Sequence, residues 1–553
     1  MKILIIGGYG VFGGRLADLL SNIPEIDLLI CGRDLNRAEA FCARYKGQAR
    51  VHPLALDRAD IVAVLHAQQP ALVVDASGPF QDYGADCYRV ISACIDACIN
   101  YLDFADAADF VFGVSQFDTK AKAAGVFILS GVSSFPVLTA AVLREMAKTM
   151  TITSVEGGIA PSPYAGIGLN VMRAVAGYAG APVKLQRYGQ ESQGVGLAES
   201  MRYTIAVPGH LPLRNTHFSL VDVPDLRVIP PEHPAMTDIW MGAGPVPEIL
   251  HRALNLLAKA RARFGLPSLE PFSRLFYAVL NRMRFGEHRG GMFVRARGSA
   301  GGGIERSWHL LAEGDDGPYI PSMAIEAVIR KLLAGEFPSA GARSGVRALE
   351  LADYDALFQG RKIFTGFRDD DANTPLYHRI LGSAFGALPP RLQELHGSRT
   401  ARHWSGLAEV RRGRGPVAGL VSALVGFPKA ASGVPIAVTF SPEEGAERWT
   451  RSFGGKSFSS MQSSGAGRDE HLLVERFGIA SFALALVVEG EFLFLVPRHW
   501  SLLGFPMPRF LLPSGRSLET EKDGQFCFDV EIKMPLIGLI VAYKGRLNPS
   551  DPT

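Results

Sequence analysis

Cysteine is scarce in this sequence: six among 553 residues, five of them before residue 100. None are spaced C-x-x-C. Cys87, Cys94 and Cys98 fall on an expected helix with no histidine nearby to complete a ligand set. The spacing argues against a zinc site and against a disulfide framework, and free thiols in a reducing compartment are the expectation. A large charge excess is also lacking. The formal net charge is +3, which gives no signature of a nucleic-acid partner. There is no uncharged apolar run of the length that spans a bilayer. The nearest, "FALALVVEGEFLFLV", is divided by Glu489-Gly490-Glu491 and reads as two strands and a turn. The sequence has no HExxH, no G-x-S-x-G elbow and no EF-hand loop, so no metal site is expected. "TRSFGGKSF" imitates a P-loop, but Thr450 stands where that pattern needs glycine, and the flanks read as strands.

What is present begins at once, with "MKILIIGGYGVFGGRLADLL". The apolar run Ile3–Ile6 is too short for the core of a signal peptide, and Gly7, Gly8 and Gly10 break it before Arg15 and Asp18. A strand, a glycine-rich turn and a helix fit better. Gly8-Tyr9-Gly10-Val11-Phe12-Gly13 matches G-x-G-x-x-G in that context. Gly8 is expected to allow the tight turn, Gly10 to admit a pyrophosphate to the backbone, and Gly13 to let the helix pack closely. The N–H groups at the helix start can then hold phosphates. The second strand, in "DLLICGRDL", ends at Gly32-Arg33, where NAD sites usually place an acid for the ribose 2′-OH. Arg33 offers a planar cation to a 2′-phosphate instead, which favours NADP over NAD. Asp34 could be the ribose acid, but it reads more simply as the N-cap of the helix "LNRAEAFCARY".

Strand and helix signals alternate to about residue 130, the βαβ pattern of a doubly wound parallel sheet. Residues 131–318 mix strands and helices as an α+β substrate or dimerisation domain. The helix within "YIPSMAIEAVIRKLLAGE" opens a return to the first half over 319–367. "RDDDANT" (368–374) is the linker candidate, and 374–553 read as a β-rich domain, a curved sheet or barrel.

Four pieces, taken in order, resemble the saccharopine dehydrogenase-like oxidoreductases: "GGYGVFGG", "CGRDLNRAE", "DASGPFQDYGADCYRVISACIDACINYLDF" and "AAGVFILSGVSSFPVL". The resemblance implies a Rossmann NAD(P)-binding domain, a second α/β domain and a substrate cleft between them. On it, Gly8 to Gly13 with Tyr9, Val11 and Phe12 form the phosphate loop, and Arg33 selects the cofactor. Ser77, Gly78 and Pro79 form the turn beside the nicotinamide ribose, while Tyr101 and Asp103 end a strand facing the cleft. The tail resembles a bacterial domain of unknown function, DUF4166, through "WTRSFGGKSF", "LLGFPMPRFLLP" and "MPLIGLIVAYKGRL". Ala105-Asp106 and Ser133–Val137 depart from the family where substrate sits, which argues against saccharopine or another amino acid.

Tyr101 and Asp103 are the candidates for proton work beside a hydride transfer. The alternative is that Asp103 caps a turn and Tyr101 packs. Cys94 reads as a buried thiol. Within 246–284, two amphipathic helices joined at Gly265-Leu266-Pro267 carry seven basic side chains against Glu248 and Glu270. One stripe is Ile249, Leu250, Ala253, Leu254 and Leu257, the other Leu275, Phe276, Val279, Leu280 and Met283. Such a hairpin either packs on the domain core or lies on an anionic membrane. The expectation is a cytoplasmic NADP-dependent oxidoreductase acting on a small-molecule or lipid-linked substrate. The other reading is a non-catalytic NADP(H) sensor or scaffold whose tail binds a lipid or protein. A homodimer is left open.

Overall fold

The computed structural model describes residues 1–551 except 167, 300–303 and 370–373, so the centre of the linker candidate and the tip of the 289–313 hairpin lie outside the described residues. The chain separates into two compact units, 1–203 with 216–364, and 204–215 with 365–553.

The first unit opens with a parallel sheet. Its strands are β1 (Lys2–Ile6), β2 (Asp27–Gly32), β3 (Arg50–Ala55), β4 (Leu72–Asp75), β5 (Asn100–Asp103) and β6 (Phe127–Ser130). They lie in the order β3-β2-β1-β4-β5-β6, and Gly341–Ser344 adds a seventh strand beside β6. This is the doubly wound Rossmann order, in which the crevice opens beyond the ends of β1 and β4, where the winding reverses. The continuous apolar runs are what a sheet covered on both faces requires: Ile3, Leu4 and Ile5 are fully buried, as are Leu72, Val73 and Val74. The helix Ile320–Leu333 returns to pack on α1 (Val11–Leu19).

The same unit holds a second, mixed sheet. Six strands run in the order Ser200–Tyr203, Thr216–Leu220, Asp238–Ala243, Thr151–Ala160, Arg289–Ser299 and Ile304–Glu313, and a seventh, Ile363–Asp369, carries the chain onward. The two helices of the basic hairpin are Glu248–Phe264 and Ser273–Arg282, with Gly265 in the left-handed conformation after the first. The expected first stripe is only in part the packed face. His251, Asn255 and Ala258 are buried, while Ile249 is 72% exposed. Asn255 adds a polar anchor, its Nδ2 donating to the Leu197 carbonyl and to Ser219 Oγ, beside Leu254, the member of the stripe that packs against Leu197 and Ala258. Leu275, in the second stripe, is likewise exposed. The cysteine-bearing helix is shorter than expected, Arg89–Asp96, so only Cys94 lies on it; Cys87 and Cys98 flank it.

The second unit is a closed antiparallel barrel. Ten strands, from Arg402–Arg412 to Gly538–Ser550, follow one another as neighbours, and the last pairs with the first. An eleventh, the two-residue strand Phe505–Pro506, hangs from Phe492–Leu502. The P-loop look-alike is a hairpin, with Phe453 paired to Lys456 across Gly454-Gly455, both at positive φ. "FALALVVEGEFLFLV" also forms a strand pair, Ala480–Glu489 with Phe492–Leu502. The helices Leu376–Leu381 and Pro390–His396 bury Tyr377, Leu392 and Leu395 in the same core as Trp404 and Trp449. Among the described residues no helix is long and apolar enough to cross a membrane.

Candidate functional site

The N-terminal turn makes its sharp reversal one residue earlier than the motif suggests. Gly7 is the residue at positive φ (75°), and a Cβ there would stand 2.7 Å from the Ala76 carbonyl oxygen. Gly7 and Gly8 both donate to the Cys31 carbonyl, at 2.8 and 3.0 Å, which ties the loop to β2. Gly10 is the N-cap of α1 and places no side chain on the helix end. The N–H groups of Val11, Phe12 and Gly13 open α1 and have no backbone acceptor among the described residues. A Cβ on Gly13 would lie 2.5 Å from the Gly7 carbonyl oxygen, so its role is contact with the loop itself.

Beyond β2, Arg33 is exposed and carries no ion pair among the described residues. Asp34 caps α2 (Leu35–Arg44), accepting from the Arg37 N–H at 3.2 Å. The Tyr9 ring covers Gly32, and its hydroxyl accepts from the Asp34 N–H. Arg37 lies over the same ring, 4.8 Å from its centroid. Arg33 and Arg37 thus flank one exposed corner. Arg37 was not singled out from the sequence, although it follows Arg33 by four residues at a capped helix start.

At the end of β4, Ser77, Gly78 and Pro79 form a turn with a cis Gly78–Pro79 bond. Asp75, fully buried, organises it. Its Oδ1 accepts from the Ser77 N–H and hydroxyl at 3.0 and 2.6 Å, and its Oδ2 pairs with Arg58 at 3.1 Å. Burial raises the Asp75 carboxyl, against the pull of Arg58 and Ser77. Arg58 also stacks on Tyr83, 3.4 Å from its centroid, and the Tyr83 hydroxyl meets Ser77 Oγ at 2.7 Å. From the second sheet's domain, Asn170 donates to the Gly78 carbonyl at 2.8 Å. Arg58 and Asn170 carried no mark in the sequence, and Asp75 and Tyr83 stood in the segment "DASGPFQDYGAD" without a role of their own.

Tyr101 and Asp103 lie beneath this surface, 1% and 0% exposed. Asp103 Oδ1 accepts from the Ala105 and Gly131 N–H groups at 2.9 and 2.7 Å and from Ser130 Oγ at 3.0 Å, which pins the ends of β5 and β6 together. Its Oδ2 is buried without a partner among the described residues. Burial pushes its carboxyl up to about 7, against three hydrogen bonds that favour the charged form. Burial also raises the Tyr101 hydroxyl well above its usual range, and Asp103 adds to the shift.

A different set of titratable groups lies beyond the turn, reached through Gln81. Gln81 donates to Asp106 at 3.2 Å. Asp106 and Asp222, both half-buried, each raise the Tyr178 hydroxyl further after burial has raised it. Asp222 is pushed up to about 6 by burial, with Asp109 and Asp106 adding. Tyr178 ends the helix Leu169–Tyr178 that also carries Asn170. Among the described residues no group of side chains is arranged to hold a metal ion.

Residues 3–129 match the family model described as saccharopine dehydrogenase NADP binding domain, and residues 388–547 match the domain of unknown function DUF4166. The two matches lie at the two ends of the sequence, and residues 130–387 belong to neither. The NADP-binding domain is a Rossmann domain of oxidoreductase type, and the group it is built for is a nicotinamide cofactor. Uncapped N–H groups at α1, a glycine floor no Cβ could enter and two arginines at the β2 end without an ion pair among the described residues all fit such a group.

Among solved structures, the chain is similar to an amine dehydrogenase from Mycobacterium smegmatis (10% identity, TM-score 0.32, covering 62% of this chain and 94% of that one). It is also similar to a meso-dapdh variant from Clostridium tetani E88 solved with DAP (14%, 0.33, 64% and 95%). A third is the WlbA (WbpB) dehydrogenase from Thermus thermophilus, in complex with NAD and alpha-ketoglutarate (11%, 0.28, 62% and 90%). No curated protein matches the chain.

Proposed function

We propose that the first unit is an NADP-dependent oxidoreductase acting on a neutral carbonyl or imine. The observation that carries this is the exposed Arg33 just past β2 beside the glycine loop, in the same unit as the raised carboxyls of Asp106 and Asp222. Val11, Phe12 and Gly13 would hold the pyrophosphate through their N–H groups, Arg33 and Arg37 the 2′-phosphate, and the Ser77–Pro79 turn the nicotinamide ribose. When bound, the nicotinamide ring supplies or accepts the hydride.

The chain's own contribution is to orient the substrate and hold a proton. Burial raises both carboxyls, Asp222 to about 6 with Asp109 and Asp106 adding to the shift, so each holds a proton closer to neutrality than an ordinary carboxylate does. The same two carboxylates repel an anionic substrate. Asp103 and Tyr101 act from below: Asp103 fixes the turn that carries Gly131, and Tyr101 supports the strand under it.

A screen of NADPH oxidation against carbonyl, imine and enoyl compounds tests this reading. Turnover is expected for a carbonyl or imine, with Asp222→Asn lowering kcat by about 100-fold and leaving NADPH affinity unchanged. Absence of turnover with every class would overturn catalysis.

We also propose a membrane contact for the basic hairpin. Ile249, Leu256, Phe264, Leu266, Phe272 and Leu275 are all exposed, among Arg252, Lys259 and Arg263 on the same segment.

A further inference from the structure

The DUF4166 barrel encloses a cavity of about 830 Å³. Ten strands close a wider ring than the eight whose side chains just fill their own interior, so space inside follows from strand number. The volume lies in the range of sites that enclose a small organic molecule. Most of the wall is aliphatic or aromatic, including Val438, Leu484, Phe528 and Trp500.

The charged groups that reach the cavity are few and already engaged. Arg451 is the one cation in its lining, against Glu475, Glu519 and Glu531. Arg451 donates to Glu475 at 3.0 Å and to Ser460 at 2.8 Å, and all three donors to Glu475 converge on its Oε1. Glu519 meets the buried His396 at 2.6 Å, and Glu531 pairs with Lys533. Arg451 and Glu475 are each only 8% exposed. An entering carboxylate would find the guanidinium paired with Glu475 and two further carboxylates elsewhere in the lining. A neutral hydroxyl or amide could accept from or donate to this polar group without breaking a pair.

Next to the cavity the surface is apolar. Ile479, which lines it, is 61% exposed, and the Ile479 carbonyl accepts from Leu503, itself 66% exposed. Phe505, paired with the cavity-lining Leu502, is 72% exposed, and Phe510 on the following turn is 75% exposed. Such a surface lets an apolar molecule enter without crossing a charged collar.

We infer that the DUF4166 barrel is a binding site for an apolar molecule carrying a neutral hydrogen-bonding end, and that it discriminates against the corresponding carboxylate. All of the lining residues lie between 421 and 547, outside the NADP-binding domain, and none takes part in the proposed hydride chemistry.

Retinol and retinoic acid share one apolar skeleton and differ in this end group, so they are the probes. Each is titrated into the full chain without nicotinamide, following quenching of tryptophan emission, since Trp449 and Trp500 both line the cavity. Saturable one-to-one binding of retinol is expected, with retinoic acid at least tenfold weaker at neutral pH. Val421→Trp places a large ring into the cavity from the helix Pro416–Val425, outside the barrel wall, and is expected to weaken retinol at least tenfold. Glu475→Gln releases Arg451 and is expected to bring retinoic acid level with retinol or above it. If Glu475→Gln fails to fold, the first two comparisons decide alone. No saturable retinol binding, retinoic acid binding as tightly as retinol to the unaltered chain, or unchanged binding in a folded Val421→Trp would each overturn the inference.

Discussion

The ring of Tyr9 lies on Gly32 so closely that a Cβ on the glycine would stand 2.4 Å from the tyrosine oxygen. A side chain at 32 must therefore push Tyr9 away from Asp34 and from Arg37, which rests on the same ring. Gly32→Ala is expected to weaken NADPH binding by about tenfold, roughly 1.4 kcal/mol. In a Tyr9→Ala background the same change should cost little more, because the clash is gone. Additive losses in the double variant would show that Gly32 acts through something other than Tyr9.

Asp103 gives the fold a pH dependence of defined sign. An acid whose native pKa is about 7 binds more protons in the folded chain than in the unfolded one between the ordinary carboxylate range and neutrality. Its stabilising contribution is full below about pH 4 and is lost as pH rises through 7. Asp103→Asn removes that dependence while keeping an acceptor for the Gly131 and Ala105 N–H groups. The difference in melting temperature between the unaltered chain and the variant should shift toward the unaltered chain at pH 5 relative to pH 8. A difference that stays constant over that span contradicts a raised Asp103.

The exposed apolar side chains of the 248–282 hairpin give a sedimentation test. The full chain should pellet with vesicles containing anionic lipid and be released by salt, and Ile249→Asp with Phe264→Asp should abolish pelleting. Both side chains are more than 70% exposed, so these changes should leave the melting temperature within about 1 °C. No pelleting of the unaltered chain at low salt removes the membrane proposal.

The first 130 residues were legible because their signals are local. Apolar runs such as Ile3–Ile6, the glycines after them and the Asp34 cap each act within a few residues, and the parallel order follows from repeated βαβ units. Contacts between distant segments left no such trace. Asp75 meets Arg58 through tertiary packing, and Asn170 reaches Gly78 across 92 positions. The hairpin stripe was legible only in part, because periodicity counts leucines: Leu254 packs as the pattern implies, but the buried positions are His251, Asn255 and Ala258, with Asn255 bonded to Leu197 and Ser219. The barrel was foreseen only as one of two β-rich forms, since closure is decided by pairing of the first strand with the last, Trp404 opposite Pro549.

The most direct test is a titration of the full chain with NADPH and NADH, followed by cofactor fluorescence, with Arg33→Ala alongside. NADPH should bind at least tenfold more tightly than NADH, and Arg33→Ala should erase most of that difference while leaving NADH affinity unchanged. Binding of neither cofactor, or NADH binding as tightly as NADPH in the unaltered chain, would contradict the account.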